Sequence, residues 1–235
     1  MRANEFLTEI EKIPAYTYTG GKESLSDFNN INPSTLKSLP GGSGLAYGVE
    51  QGGYMTSVFI VDPKKNPTDA IAVLELTKSD LPISVKPLQV ETITVDEDYR
   101  GQGLAKALYG IVLSIMKRPL LAGNSQTPGG RLNWLSLASI PGVEVNGIVQ
   151  LDNREIEVRN LNYSGTNEKR VDKTIDQVMQ LGGQFVGKNR YGSYWAFDVV
   201  PSKGQLEPYV KNSLSKLYGY DVPTTLIAKW TGQIQ

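Results

Sequence analysis

The chain has 235 residues, 40% of them hydrophobic, and its 24 basic and 24 acidic residues cancel to a net charge of zero. Such a length suits one large domain, and the neutral total argues against nonspecific nucleic-acid or membrane-surface binding as the main task. Cysteine and histidine are both absent, which excludes disulfides, Cys/His zinc sites, cysteine nucleophiles and every serine–histidine triad. Proton transfer near neutral pH is left to carboxylates, lysines, tyrosines, a terminus or water. Enzymes that depend on proximity more than on covalent chemistry pass this filter best. The opening "MRANEFLTEIEKI" sets acids inside an apolar pattern, unlike a signal peptide. The apolar runs fall short of the roughly 20 residues that span a bilayer, so a soluble, cytoplasmic protein is expected, with no membrane or nucleic-acid partner.

In chain order, "NEFLTEIEKI" places Phe6, Leu7, Ile10 and Ile13 on one helical face. A loop-like polar stretch follows over about 19–43, with a short helix expected near "PSTLKSL". "GLAYGVEQ" and "YMTSVFIVD", joined by Gly52-Gly53, read as a β-hairpin. "AIAVLELTKS" and "PLQVETITVD" read as two further strands. The period then changes: Leu104, Leu108, Ile111 and Ile115 fall at helical spacing, and Arg118-Pro119 ends the helix. "LLAG" suits a short buried strand, "GGRLNWLSLASI" a second helix and "VEVNGIVQLD" another strand. Beyond 153, Val171, Ile175 and Val178 suggest a helix closed by Gly182-Gly183. "QFVGK", "YWAFDVV" and "TTLIAKW" read as strands, and "LEPYVKNSLSKLYG" as partly helical. The expected fold is α/β: a mixed, mostly antiparallel sheet flanked by helices. No repeat or low-complexity linker breaks the chain, so 1–235 reads as one domain, with a core over about 45–152 and a C-terminal extension over 153–235.

"VDEDYRGQGLAKALYG", residues 95–110, is the segment richest in chemistry. A glycine-rich turn feeding a helix N-terminus suits an anion, often a phosphate, because glycine lets the backbone approach closely and the helix adds its positive end. The GxxxxGK[ST] pattern of P-loops is absent. The dinucleotide fingerprint GxGxxG fails at Lys106, where the third glycine belongs. Arg100-Gly101-Gln102-Gly103-Leu104-Ala105 instead matches [Q/R]xxGx[G/A], after a strand ending in Val95-Asp96 and before an amphipathic helix. In this motif, and in the order of elements over about 45–152, the chain resembles the GNAT family (GCN5-related N-acetyltransferases).

The resemblance implies a GNAT-like fold and acetyl-CoA as acyl donor, with no metal. The pyrophosphate would sit on Arg100, Gly101, Gln102, Gly103, Leu104 and Ala105. The strand before the loop would splay from the parallel strand "LLAG", and the pantetheine arm would pair with main chain at Ile93 and Val95. Asn124 would bond that arm or cap the next helix. Enzymes of this family transfer acetyl directly to an amine, here a small molecule or a protein lysine or N-terminus. They often place a carboxylate on this strand as general base.

Glu91 alternates with apolar neighbours in "QVETITV" and is the best candidate for that base; a half-buried carboxylate there would have a raised pKa. Gln89 shares its face. Asp96, Glu97 and Asp98 are expected on the loop surface. A tyrosine commonly found four residues before the glycine that follows the second helix is missing: counting back from Gly142 reaches Ala138, in a stretch that offers Trp134, Ser136 and Ser139. Three functions remain open: an acyl-CoA-dependent N-acyltransferase; a GNAT-fold protein without catalysis, serving as a CoA-binding or protein-binding regulatory module; and a nucleotide-binding protein using the same glycines.

Overall fold

The structure, a computed structural model, describes residues 25–123, 133–134, 136–137, 142–151, 176–190, 192–200, 205–219 and 224–231. The chain is an α/β protein with mostly antiparallel strands and few helices among the described residues. It divides into two compact units. The described parts of Met1–Ser79, Pro87–Glu144 and Ala228–Gln235 form the first, and those of Asp80–Lys86 and Val145–Ile227 the second.

The first unit is built on the ordered sheet β1 (Lys37–Ser38), β2 (Ala46–Gly52), β3 (Met55–Asp62), β4 (Asn66–Lys78), β5 (Leu88–Val95) and β6 (Leu120–Leu121). Strands β1 to β5 are antiparallel neighbours, and β6 joins β5 in parallel. The hairpin read from Gly52-Gly53 is present, with Gly52 opposite Met55. Strand β4 begins at Asn66, earlier than the sequence pattern suggested. Asn66 Oδ1 takes the Thr68 amide at 3.2 Å where the strand starts.

Residues 58–61 of β3 are all buried, so both faces of the sheet are covered. On one face Phe59, Val61, Ala70 and Val73 enclose Ile31, with Leu25, Phe28 and Leu36 against them. Phe28 stacks tilted on Phe59 with ring centroids 5.8 Å apart. Backbone bonds from Ile31 to Thr68 and from Ala70 to Phe28 pin this segment to β4. A Cβ at Gly48 would run into the Phe59 ring, so the glycine makes room for the aromatic.

Helix α1 (Leu104–Gly110) packs on β3, β4 and β5. Its buried residues are Leu104, Ala107, Leu108, Tyr109 and Gly110. It continues as a π-turn over Ile111–Ile115. There the Ser114 hydroxyl donates to the Gly110 carbonyl at 2.6 Å, the acceptor that the Ser114 amide would use in regular α-geometry. The Met116 amide reaches back to Ile111, and Lys117, at φ 55, closes the helix with the Arg118 amide on Val112. Pro119 then leads into β6, so α1 is the crossover between two parallel strands. Tyr109 is fully buried and burial pushes its phenol well above the ordinary value. Its ring lies 6.1 Å from that of Trp134, which is buried. Of the expected second helix, 133–134 and 136–137 are helical; the rest lies outside the described residues.

The second unit centres on β9 (Gly192–Val200), which pairs antiparallel with β7 (Val143–Leu151), β8 (Gln184–Asn189) and β10 (Gln205–Leu206). Tyr194, Trp195 and Phe197 are buried, which makes them core. Trp195 meets Phe185 edge-on at 5.4 Å, and its indole N–H donates to Ser193 at 3.1 Å. A Cβ at Gly147 would stand 2.7 Å from Leu206, so β7 and β10 approach closely there. Helix α2 (Pro208–Tyr218) opens on proline, ends at Gly219 with φ 79, and buries Leu214 and Tyr218. Strand β11 (Thr224–Trp230) is the last strand among the described residues; its Lys229 pairs with Glu144 at 3.1 Å, both of them in the first unit.

Candidate functional site

The glycine-rich segment lies between β5 and α1, both in the first unit. Asp96 caps a 3-10 turn (Glu97–Tyr99) by accepting the Asp98 amide at 2.9 Å. Arg100 follows, half-buried; its Nε donates to the Val95 carbonyl at 3.3 Å and its Nη2 lies 3.8 Å from Glu97. Gly101 and Gly103 are both left-handed, at φ 74 and 75. Non-glycine residues other than Asn or Asp rarely adopt this conformation. Gln102 is exposed and donates to the Asp98 carbonyl at 3.1 Å. Gly103 begins α1 with no side-chain cap, and its carbonyl accepts from Ala107. The amides of Leu104 and Ala105 are thus among those that a helix start leaves without an intrahelical partner. Leu104 itself is buried and anchors the turn to the core.

Strand β5 is asymmetric. It pairs with β4 along its whole length, but in parallel with β6 only at Leu88–Leu120 and Gln89–Leu121. From Val90 to Val95 the edge away from β4 has no strand partner among the described residues. The Asp96 amide bonds the Ile71 carbonyl, so Asp96, Thr94 and Thr92 turn their backbone groups to β4. Strand alternation then turns those of Ile93 and Val95 to the open edge. The same two residues were singled out from sequence. Val95 already spends its carbonyl on Arg100, which ties the loop to this edge.

Glu91 sits at a β-bulge. Thr92 faces Glu75 and Val90 faces Leu76, which leaves Glu91 unopposed between them. The alternating pattern suggested half-burial; the bulge instead leaves the side chain exposed, with Oε1 accepting the Thr77 hydroxyl at 2.7 Å. A bulge has no sequence signature in a run as regular as "QVETITV". Asn124 lies outside the described residues, as do Ala138 and Ser139.

Sequence reasoning passed over Tyr99. Its hydroxyl donates to Asp62 Oδ2 at 2.9 Å, and Lys65 Nζ lies 4.7 Å from its ring centroid. Burial raises the Tyr99 pKa and the bond to Asp62 raises it further. Burial works to raise the Asp62 carboxyl too, but the bonds from Tyr99 and the Lys64 amide outweigh it and leave the group below its ordinary value. The pair spans 37 residues, and the pairing of β3 with β4 and of β4 with β5 brings it together.

No family model matches the chain, nor does any curated protein or solved structure. Among the described residues no group of three or more His, Cys, Asp or Glu could hold a metal, and no helix is long and apolar enough to cross a membrane.

Proposed function

We propose that the chain is an acyl-CoA-dependent N-acyltransferase with a GNAT-like arrangement, using acetyl-CoA to acylate an amine. The observation that carries this reading is the parting of β5 from β6 immediately before the glycine turn. An open strand edge can pair with the amides of a pantetheine arm, and a turn with two left-handed glycines and uncapped helix amides can face a pyrophosphate. In the reaction the amine nitrogen attacks the thioester carbonyl. The C–N bond forms, the C–S bond breaks, the ammonium proton passes to a base, and the thiolate leaves to be protonated by solvent. Holding the two reactants together supplies much of the rate. Glu91 is the base in this reading, either directly or through water, and Thr77 holds its carboxylate in place.

A second reading, a GNAT-fold protein that binds CoA or a protein partner without catalysis, draws support from the exposure of Glu91 and from the absence of the family's tyrosine. Calorimetry with acetyl-CoA, CoA, ATP and NAD, followed by thiol release with a mixture of amines, tests both. Binding with turnover supports the enzyme, and binding without it supports the second reading. A preference for ATP or NAD with no response to CoA removes both.

A further inference from the structure

Arg100 stands where the glycine turn meets the open edge of β5. It directly precedes Gly101, and its Nε donates to the Val95 carbonyl at 3.3 Å. From Val90 to Val95 that edge has no strand partner among the described residues. The guanidinium therefore stands on the edge itself, with its side chain only 23% exposed. Neither of two contacts it makes there is strong. The Val95 carbonyl is neutral, and 3.3 Å lies just beyond the usual range for such a bond. Glu97, 3.8 Å from Nη2, is 65% exposed, and an ion pair so open to water contributes little. A diphosphate offers formal charge and paired oxygens that match the planar guanidinium fork.

We propose that Arg100 is a latch that sets donor specificity: it covers the Val95 carbonyl and gives it up to a donor only in exchange for a diphosphate. The proposal rests on the acyl-CoA reading and adds a residue that selects among donors. A thioester carried on a diphosphate is favoured over one carried on a single phosphate or on bare pantetheine. The selection follows from differential affinity, since a ligand shifts such an equilibrium only by binding one state better than the other. A donor without phosphates gains nothing from Arg100. It either pairs with the edge at Ile93 alone or displaces the guanidinium from Val95 without repayment. A donor with a diphosphate draws the guanidinium into the turn and meets the whole edge. Arg100 adjoins the turn in the chain, so the exchange needs side-chain rotation and no movement of the strand.

The test is calorimetry on the whole chain with acetyl-CoA, S-acetyl-4′-phosphopantetheine and S-acetylpantetheine. The parent should bind them in that order of falling affinity. Arg100→Met keeps the stem and removes the charge and the donors. It should weaken acetyl-CoA by at least ten-fold and strengthen S-acetylpantetheine by about five-fold, the equivalent of one hydrogen bond. Arg100→Lys keeps the charge without the Nε donor, so it should gain as much for S-acetylpantetheine and lose less for acetyl-CoA. In the parent, saturating ADP should strengthen S-acetylpantetheine, because the diphosphate engages Arg100; in Arg100→Met this coupling should vanish. Melting curves establish that each variant is folded. Weaker binding of both thioesters in both variants, no gain for S-acetylpantetheine, or coupling to ADP that persists without the guanidinium overturns the latch. Each of these results leaves the acyl-CoA reading standing, since acetyl-CoA still binds the parent. A parent that ignores acetyl-CoA removes that reading, and the latch with it.

Discussion

The Tyr99 hydroxyl donates to Asp62 Oδ2 at 2.9 Å, and this bond fastens the turn before Gly101 to the end of β3. Lys65, over the Tyr99 ring, closes the other side. Tyr99→Phe keeps the ring and removes the bond. It should cost about 1 kcal/mol of stability and weaken acetyl-CoA by several-fold, because the loop loses a fixed position. Denaturant melts and calorimetry on the same preparation check this. Unchanged affinity would make the bond structural only.

The same pair predicts a pH window. The Asp62 carboxyl is held below its ordinary value, so the stability it contributes is present above the ordinary carboxylate pKa and is lost as pH falls through the lowered one. The Tyr99 phenol is held above its ordinary value, so its contribution is full below that value and is lost as pH rises through the raised one. The difference in stability between the parent and Tyr99→Phe should therefore be flat through neutral pH and shrink at both extremes. A difference that peaks in acid would contradict the assignment.

Gly103→Asn separates backbone geometry from ligand contact. Asparagine tolerates the left-handed conformation that Gly103 adopts at φ 75, so the variant should fold with a loss of about 1 kcal/mol or less. If the turn faces a pyrophosphate, the added side chain intrudes and acetyl-CoA affinity should fall by at least ten-fold. Gly103→Val should lose both affinity and stability. Full affinity in folded Gly103→Asn would mean that the turn meets no phosphate.

Glu91→Gln removes the carboxylate but keeps an acceptor for the Thr77 hydroxyl. Turnover should drop by about 10²-fold if the group is a general base, with acetyl-CoA affinity unchanged. Parental turnover in this variant would return Glu91 to the bulge as a structural residue.

Gly48 tests the core. A methyl group there meets the Phe59 ring, so Gly48→Ala should destabilise by about 1–3 kcal/mol. Adding Phe59→Leu should recover part of the loss in a double-mutant cycle. Simple additivity of the two changes would argue against the contact.

Much of the strand order was legible because the signals are local. Gly52-Gly53 marks a hairpin, and the shift from "QVETITV" to Leu104, Leu108 and Ile111 marks strand becoming helix. Gly101 and Gly103 marked a turn before the helix, and both adopt left-handed backbone there. What escaped depends on register. The bulge at Glu91 comes from how β4 and β5 align. Tyr99 and Asp62 lie in separate turns that nothing in either turn connects. The π-turn over Ile111–Ile115 reads as ordinary helix, because Ile111, Val112 and Leu113 are as apolar as an α-helix would require.

The open edge at Ile93 and Val95 presents main chain, and main chain is common to every residue but proline. A scan that truncates side chains one at a time would pass over this part of the site, and exchanging Ile93 or Val95 for another β-branched residue should leave acetyl-CoA affinity where it was. The vulnerable change is of another kind. Replacing the amide nitrogen of Ile93 with an ester oxygen, by semisynthesis, deletes one donor and touches nothing else in the side-chain inventory. If the acyl-CoA reading holds, β5 can drift widely in sequence without loss of the ligand, and a genetic screen would find the glycine turn and pass over this strand.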